Sequence, residues 1–276
     1  MVYSQKDVNL HTHTLFSHHG SGMPLDYVEK AKDAGLKVLG FSEHLPLPYY
    51  FPFERMEKNE VGEYVESVRA IKGEDVLVLL GGECDWDKSL YTYYKDEFLS
   101  RLGFDYLIGS VHYVKGKGGS LEYAGSKDAK DFDLKSYVDM YCSLLSSHLF
   151  LYGCHPDLFV SSFSSWNKDL EAASRDIIAC AKENNMPLEI NGNGFCKPPV
   201  IRDGKEEYLY PKKEFWMMAK DEGIKTVTAS DAHMPNRVYG YDKALLFASS
   251  LSITFSEYEI DEEKRTVKIF NLLMLI

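Results

Sequence analysis

The chain has 276 residues, of which 45% are hydrophobic and 26% charged, and its formal net charge is −11. This composition is typical of a folded globular protein with a large core and argues against a disordered chain. The acidic balance, without any run of five basic residues, disfavours a nucleic-acid-binding surface, because such surfaces depend on clustered Lys and Arg. A small anionic substrate fits better, since bound cations can reverse the local charge.

Short apolar runs alternate with longer helical patterns along the chain, and this alternation predicts seven units, each built around one strand. The predicted strands occupy residues 8–10, 37–41, 76–80, 105–108, 149–152, 188–190 and 226–229. The predicted helices occupy residues 24–34, 60–71, 89–102, 134–147, 170–184 and 211–222. The last segment, 251–276, is ambiguous between helix and strand.

Alternating strands and helices predict an α/β fold with a parallel sheet. Barrels built in this way commonly reach this length as one domain, so we expect residues 1–276 to form a single domain. Two excursions break the pattern, at 114–131 and 192–210, and both are rich in Gly and charged residues. Long loops that follow strands on a catalytic face are typical of substrate-binding lids.

Residues with metal-ligand chemistry follow the ends of the predicted strands, where parallel sheets collect their active sites. His11 and His13 are two residues apart after the first strand, so both rings are expected on one face. The full set takes in seven of the nine histidines. It consists of His11, His13, His19, His44, Glu83, His112, His155, Asp231 and His233.

The set as a whole predicts a polynuclear metal site, although any one histidine alone is more often a packed or solvated residue. Sites rich in imidazole with few carboxylates favour zinc, iron or manganese, because magnesium and calcium prefer shells made only of oxygen. The sequence does not choose among these three divalent transition metals.

The five cysteines include no C-x-x-C pair, and they stand at Cys84, Cys142, Cys154, Cys180 and Cys196. An odd set of this kind fits neither a disulfide framework nor a zinc site of cysteines, and it predicts a reducing compartment. The N-terminus lacks a signal-peptide pattern, and the longest apolar runs are too short to span a bilayer. We therefore expect a cytoplasmic protein that is not embedded in a membrane.

Seven motifs occur in order between residues 8 and 240. They are His11-Thr12-His13 with Ser17-His18-His19-Gly20, then Ser42-Glu43-His44, Gly82-Glu83, Ser110-Val111-His112, His155-Pro156-Asp157, Glu189-Ile190-Asn191 and Ser230-Asp231-Ala232-His233. Together they resemble the polymerase and histidinol phosphatase (PHP) superfamily, and within it the monofunctional histidinol-phosphatase branch. The ordered set is specific, although each motif alone is weak.

The resemblance implies a distorted (β/α)7 barrel that holds three metal ions. The first ion would be bound by His11, His13, Glu83 and Asp231, the second by Glu83, His112 and His155, and the third by His19, His44 and His233. Glu83 would then bridge the first two ions.

The first motif departs from the pattern of many relatives, in which Asp directly follows the serine. Here His18 and His19 follow Ser17, and only His19 matches the form with one extra residue. His18 is therefore expected to lie outside the ligand set.

The resemblance also implies hydrolysis of L-histidinol phosphate in histidine biosynthesis. Two ions that share a carboxylate can hold a hydroxide with a pKa of about 7, which would attack the phosphate monoester. The leaving alkoxide needs a proton, for which Asp231 and His233 are the candidates.

The sequence indicates the substrate contacts less specifically than the metal ligands. Glu43 could pair with the cationic end of the substrate, or could equally hold a metal-bound histidine. Arg202 and Arg237 are candidate phosphate contacts, although an arginine in a loop is more often solvated. The aromatic segment 49–53 could wall the pocket or pack on itself.

Two other functions compete with a small-molecule phosphomonoesterase. Phosphodiester cleavage or proofreading is disfavoured by the acidic charge and by the lack of an attached polymerase. A non-catalytic metal-binding module would not need so many ligands or a bridging carboxylate. We expect a monomer with no nucleic-acid partner.

Overall fold

Parallel strands form a curled sheet whose carboxyl ends meet at one side of the molecule. The computed structural model describes residues 1–72, 75–126, 131–202, 204–238 and 241–271. The strands are β1 (Val2–Tyr3), β2 (Val8–Asn9), β3 (Val38–His44), β4 (Leu77–Asp85), β5 (Tyr106–Ser110), β6 (Tyr113–Lys115), β7 (Leu121–Tyr123), β8 (Leu188–Asn191), β9 (Val200–Arg202), β10 (Lys205–Glu207), β11 (Thr226–Ala229), β12 (Glu257–Asp261) and β13 (Thr266–Phe270).

The helices lie outside the curled sheet and cover it. They are α1 (Pro24–Asp33), α2 (Val61–Arg69), α3 (Tyr91–Tyr93, continued as a π-helix over Tyr94–Arg101), α4 (Leu134–Ser146), α5 (Lys168–Glu183), α6 (Lys213–Asp221) and α7 (Tyr241–Ser250). None of the helices in these described parts of the chain is both long enough and apolar enough to cross a lipid bilayer.

The parallel strands follow one another around a ring. β2, β3, β4 and β5 are neighbours in one sheet, and β8 pairs with β11. Single bridges from Gly153 to Gly109 and to Leu188 join these two groups, and a bridge between Thr12 and Ala232 joins the last strand to the first. The ring thus has seven strand positions, as the predicted α/β barrel requires.

At the fifth strand position of the ring, the prediction of a regular strand is wrong. Residues 149–152 adopt bends, and Gly153 alone pairs on both sides. The Gly153 N–H donates to the Pro187 carbonyl at 3.0 Å. His148 and His155 have left-handed φ angles of 52° and 29°, which interrupt an extended path before and after this point. This interruption distorts the barrel.

The ambiguous C-terminal segment forms strand structure. β12 and β13 make an antiparallel hairpin, and β12 also pairs with β1 near the N-terminus. Tyr258 and Ile260 of the hairpin pack against a buried cluster that includes Val8 and Val38, near the beginnings of their strands. The hairpin therefore closes the amino-terminal end of the barrel and leaves the carboxyl end open.

One tyrosine spans the barrel interior. The Tyr106 hydroxyl donates to the carbonyls of Leu10 and Phe41 at 2.8 and 3.0 Å. Its ring lies where two neighbouring strands carry glycine, since a Cβ on Gly40 or Gly81 would lie 2.2 or 2.3 Å from Tyr106 atoms. Glycine at these positions makes room for the ring.

The two long excursions lie on the open side of the barrel. The first forms the β6–β7 hairpin, and the second forms a short 3-10 helix, Asn193–Cys196, followed by the β9–β10 hairpin. Residues 127–130 and 203 of these excursions lie outside the described residues. Their described parts contribute walls of the pocket at the open end.

Cys142 of α4 and Cys180 of α5 form a disulfide. This corrects the expectation that the cysteines form no disulfide, on which the expected reducing compartment rested. The two residues are 38 positions apart and meet because α4 packs against α5, so no local spacing could reveal the pair. Cys84, Cys154 and Cys196 are free.

Candidate metal centre

The carboxyl ends of the strands bring the predicted ligands to one place. His11 and His13 follow β2, His44 ends β3, and Glu83 lies near the end of β4. The remaining candidates, His112, His155, Asp231 and His233, follow later positions of the ring, while His19 follows a 3-10 helix, Leu15–Ser17. Asp231 is buried and has a left-handed φ of 49°, a conformation that Asp tolerates better than most residues.

Four ligand atoms form a compact group at the centre of this cluster. The Nε2 atoms of His11 and His13 are 3.1 Å apart. Glu83 Oε2 lies 3.4 and 3.3 Å from these two nitrogens, and Asp231 Oδ1 lies 3.5 and 3.2 Å from them. Ligands about 2.0–2.1 Å from a tetrahedral zinc ion are about 3.3–3.4 Å from one another, so the group has the size of a zinc site.

The second carboxylate oxygen of Glu83 faces a different pair of histidines. Its Oε1 lies 3.1 Å from His155 Nε2 and 3.6 Å from His112 Nε2. The rings of His112 and His155 are 4.8 Å apart. One carboxylate thus presents one oxygen to each of two groups, which is the arrangement of a bridging ligand.

A third group of histidines lies beside the first. His19 Nε2 and His233 Nε2 are 3.0 Å apart, and the His44 ring is 5.1 Å from that of His19. His13, His44 and His233 also present nitrogens close enough to one another to share an ion. His44 is ambiguous, because its Nδ1 also lies 3.0 Å from Glu83 Oε2.

Two carboxylate oxygens in the cluster are buried without a hydrogen bond. They are Glu83 Oε2 and Asp231 Oδ1. Buried polar atoms in folded proteins are almost always paired, and an unpaired buried carboxylate oxygen is costly. A cation among the four central atoms would satisfy both oxygens, so these residues fit a bound metal.

Burial and charge within the cluster shift the pKa values of the predicted ligands in both directions. Burial raises the pKa of Glu83, but the imidazoles of His44, His112 and His11 outweigh it and hold that pKa well below its usual range. Burial lowers the pKa of His44 to about 3. Burial also lowers the pKa of His13, yet hydrogen bonds and charge from Asp231 and Glu83 raise it to about 9, so an ion bound there would have to displace a proton.

Neighbouring side chains hold the ligand rings in orientation. His11 Nδ1 lies 2.8 Å from Glu189 Oε1, and His112 Nδ1 lies 2.8 Å from Asp85 Oδ1. Each contact leaves the Nε2 atom free to face the cluster. Asp85 in turn accepts a 2.7 Å hydrogen bond from Arg55. Neither Glu189 nor Asp85 is among the predicted site residues, although Asp85 follows Glu83 by two residues in β4 and so lies on the same face.

Glu43 is buried and does not reach the pocket. It accepts hydrogen bonds from the Thr14 N–H at 2.7 Å and from the Ser17 hydroxyl. Ser17 Oγ lies 3.1 Å from His13 Nδ1, so Glu43 supports a ligand ring through Ser17. Of the two roles considered for Glu43, this placement favours support of a metal-bound histidine over a substrate contact.

If the chain has the phosphatase activity that the sequence resemblance implies, replacing Glu43 by glutamine should lower kcat/KM for all phosphate monoesters in parallel, by roughly 10- to 100-fold as for other outer partners of metal ligands. The reason is that the amide weakens the support of Ser17 and His13 without touching the substrate. Activity on L-histidinol phosphate and p-nitrophenyl phosphate, measured with metal content, checks this. A loss confined to the first substrate would contradict it.

Of the other residues considered in the sequence, one lines the pocket and two do not. Arg237 lines the pocket. Arg202 does not, which corrects its expected phosphate contact: its guanidinium is buried and donates to backbone carbonyls, including Tyr208 and Leu209 at 3.0 Å each. His18 lies outside the pocket, where its Nε2 is 2.7 Å from Glu60.

An open pocket of about 700 Å³ lies over the cluster, within the size range of small-molecule sites. Aromatic rings of Phe53, Tyr113, Tyr123 and Tyr210 form part of its wall. Lys197 supplies a cation besides Arg237. The pocket gives a small ligand direct access to the histidine and carboxylate cluster.

A parallel barrel with a histidine and carboxylate cluster at its carboxyl end is the architecture of a metal-dependent α/β-barrel enzyme. A family model described as the PHP domain matches residues 9–193. The chain therefore belongs to the PHP domain family, which confirms the superfamily that the sequence motifs resemble.

The chain is similar to known proteins along most of its length. A Deinococcus radiodurans protein named "Probable histidinol-phosphatase" is 29% identical over 235 residues, which cover 83% of this chain and 86% of the relative. A Clostridium acetobutylicum protein named as a "Probable phosphatase" is 23% identical, covering 95% of this chain and 93% of the relative.

A solved structure supports the fold. It is the histidinol phosphate phosphatase of Lactococcus lactis, complexed with zinc, L-histidinol and phosphate. The TM-score is 0.69 at 17% identity, and the match covers 95% of this chain and 99% of that chain. This likeness confirms the predicted distorted α/β barrel.

Proposed function

We propose that the chain is a metal-dependent phosphomonoesterase that hydrolyses L-histidinol phosphate to L-histidinol and phosphate. The observation that carries this proposal is the geometry of Glu83, whose two oxygens face two different pairs of histidines at 3.1–3.6 Å. Such a bridge is suited to paired ions acting on a phosphate. The substrate is the one named for the relatives in Deinococcus radiodurans and Lactococcus lactis.

We propose that three divalent transition-metal ions occupy the cluster. One would be held by His11, His13, Glu83 and Asp231, one by Glu83, His112 and His155, and one by His19, His44 and His233. Zinc fits the spacing of the four central atoms, and iron or manganese would accept the same ligand types. His44 could instead bind an ion that Glu83 also binds, because its Nδ1 lies close to a Glu83 carboxylate oxygen.

When bound, such ions would lower the pKa of a shared water and neutralise phosphate oxygens. The residues of the chain set the geometry for that chemistry. Asp231 Oδ2 lies 3.2 and 3.3 Å from the side-chain amides of Asn191 and Asn193, which hold the carboxylate while Oδ1 faces the cluster. His233 Nδ1 lies 3.0 Å from the Asp231 carbonyl, which orients the ring.

Asp231 and His233 belong to the cluster and also line the pocket, so they remain our candidates for protonating the leaving alkoxide. Arg237 remains a candidate contact for phosphate oxygens, and Lys197 joins it because it lines the same pocket. Arg202 is no longer a candidate phosphate contact, because it does not line the pocket.

We further propose that residues 1–276 form one domain and act as a monomer in the cytoplasm, on a small-molecule substrate rather than a nucleic acid. The pairing of β1 with β12 and the bridge from Thr12 to Ala232 support the single domain, because they tie the N-terminal segment to later parts of the chain. The net charge of −11 supports a small substrate.

The test is an assay of the purified, metal-analysed protein against a panel of phosphate monoesters and one phosphate diester. We expect the highest kcat/KM for L-histidinol phosphate and little activity on bis-p-nitrophenyl phosphate. A preference for the diester, or no preference among the monoesters, would overturn the proposed substrate.

A further inference from the structure

We propose that Glu54, beside the aromatic pair Phe53 and Tyr113, forms a subsite for the cationic, ring-bearing end of the substrate. This inference rests on the proposed function and names the residues that would select the substrate at that site. The ligand class is a phosphate monoester with an ammonium group and a flat heteroaromatic ring. L-Histidinol phosphate has both features.

Glu54 is the carboxylate of the pocket wall that remains available to a ligand, among the residues that the structure describes. Four carboxylates line this pocket, and Glu83 and Asp231 belong to the metal cluster. Asp85 is engaged by Arg55 at 2.7 Å and by His112 at 2.8 Å. The side chain of Glu54 is 67% exposed, and its carboxylate lies 3.8 Å from His19 Nδ1, a long distance for an ion pair.

Two aromatic side chains that line the same pocket, Phe53 and Tyr113, accompany this carboxylate. The rings of Phe53 and Tyr113 are stacked, with centroids 4.2 Å apart and planes within 15°. Phe51 meets Tyr113 edge-on at 5.2 Å and braces the pair. Aromatic faces bind flat rings by stacking and attract cations through their π-electrons. A ring and a cation in one ligand could therefore contact the two features together.

The loop that carries Glu54 is held in place on its C-terminal side. The Arg55 guanidinium donates to the Leu45 carbonyl at 3.2 Å as well as to Asp85, and it lies 4.4 Å above the Phe51 ring. The Met56 N–H donates to the His44 carbonyl at 3.2 Å. Because His44 belongs to the candidate ligand cluster and Asp85 supports it, the loop is fixed relative to that cluster, which reduces the ordering cost of binding.

The test variant is Glu54→Gln, which keeps the shape of the side chain and removes its charge. We expect the ratio of kcat/KM for L-histidinol phosphate to that for p-nitrophenyl phosphate to fall roughly tenfold, the lower end for a charge-assisted hydrogen bond because Glu54 is largely exposed. Inhibition by L-histidinol, which has the cation but no phosphate, should weaken by a similar factor. Phe53→Ala should likewise weaken inhibition by L-histidinol, whose imidazole ring would lose its stacking partner.

The matched control is Glu57→Gln, an exposed glutamate three residues later that does not line the pocket. Its ratio should equal that of the wild type. An unchanged ratio in Glu54→Gln would overturn the inference, and so would equal losses on both substrates, which would place Glu54 in support of His19. If the wild-type protein hydrolyses p-nitrophenyl phosphate but not L-histidinol phosphate, the proposed function fails instead.

Discussion

Replacing Glu83 by alanine is expected to lower kcat/KM for phosphate monoesters by well over about 100-fold, beyond the 10- to 100-fold typical of residues that only support metal ligands. Glu83 is buried and contacts histidines of two groups through its two oxygens. Its removal leaves both groups without their shared anion. The variant should also lose metal, so steady-state kinetics and elemental analysis should be measured on the same preparation.

His18→Ala is the matched control for this variant. His18 is a histidine of the same motif as His19, but it lies outside the pocket and pairs with Glu60 at 2.7 Å. We expect its kcat/KM to stay within about twofold of the wild type, because surface ion pairs contribute little. If His18→Ala proved more damaging than Glu83→Ala, the assignment of ligands in the first motif would be wrong.

The second large effect is on folding. Gly81→Ala should lower the free energy of unfolding by about 3 kcal/mol, the upper end for overpacking, or prevent folding altogether. The added Cβ would lie 2.3 Å from Tyr106 Cζ. The Tyr106 ring cannot move aside easily, because its hydroxyl donates to the carbonyls of Leu10 and Phe41. Urea unfolding followed by tryptophan fluorescence measures the change.

Gly62→Ala makes the same chemical change where there is space. A Cβ at Gly62 meets no atom within 4 Å, and the residue lies in α2. Alanine is the better helix former, so this variant should be more stable than the wild type by about 0.5–1 kcal/mol. Equal stability of the two glycine variants would contradict the packing role that we assign to Tyr106.

The positions of most strands could be predicted because each combines a short apolar run with a reactive residue at its end. The run before Glu83 is a clear example, since β4 covers Leu77–Asp85 and residues 76–80 were predicted. Residues 149–152 show where this reasoning stops, because the same apolar pattern occurs there but left-handed residues on both sides interrupt the strand. The pairing of β1 with β12 joins segments far apart in the chain, which no local pattern reveals.

In the site, too, local sequence patterns predict some features, whereas contacts between distant segments determine others. The clustering of the predicted ligands could be anticipated from spacing, since His11 and His13 share a face and Asp231 and His233 follow one strand. The positions of the Arg202 and Glu43 side chains could not be predicted, because they depend on contacts with distant segments. Arg202 donates to the Phe163 carbonyl, and Glu43 accepts a hydrogen bond from Ser17. The partnership of Arg55 with Asp85 across 30 residues was missed for the same reason.

The most direct test of a three-ion phosphatase is the metal content of active protein purified without chelator. Elemental analysis should give close to three transition-metal equivalents per chain, and stepwise removal with a chelator should abolish phosphatase activity, with recovery when zinc, iron or manganese is restored. One reproducible equivalent per chain in protein of full activity would contradict the three-ion site, and full activity in metal-free protein would contradict metal-dependent hydrolysis itself.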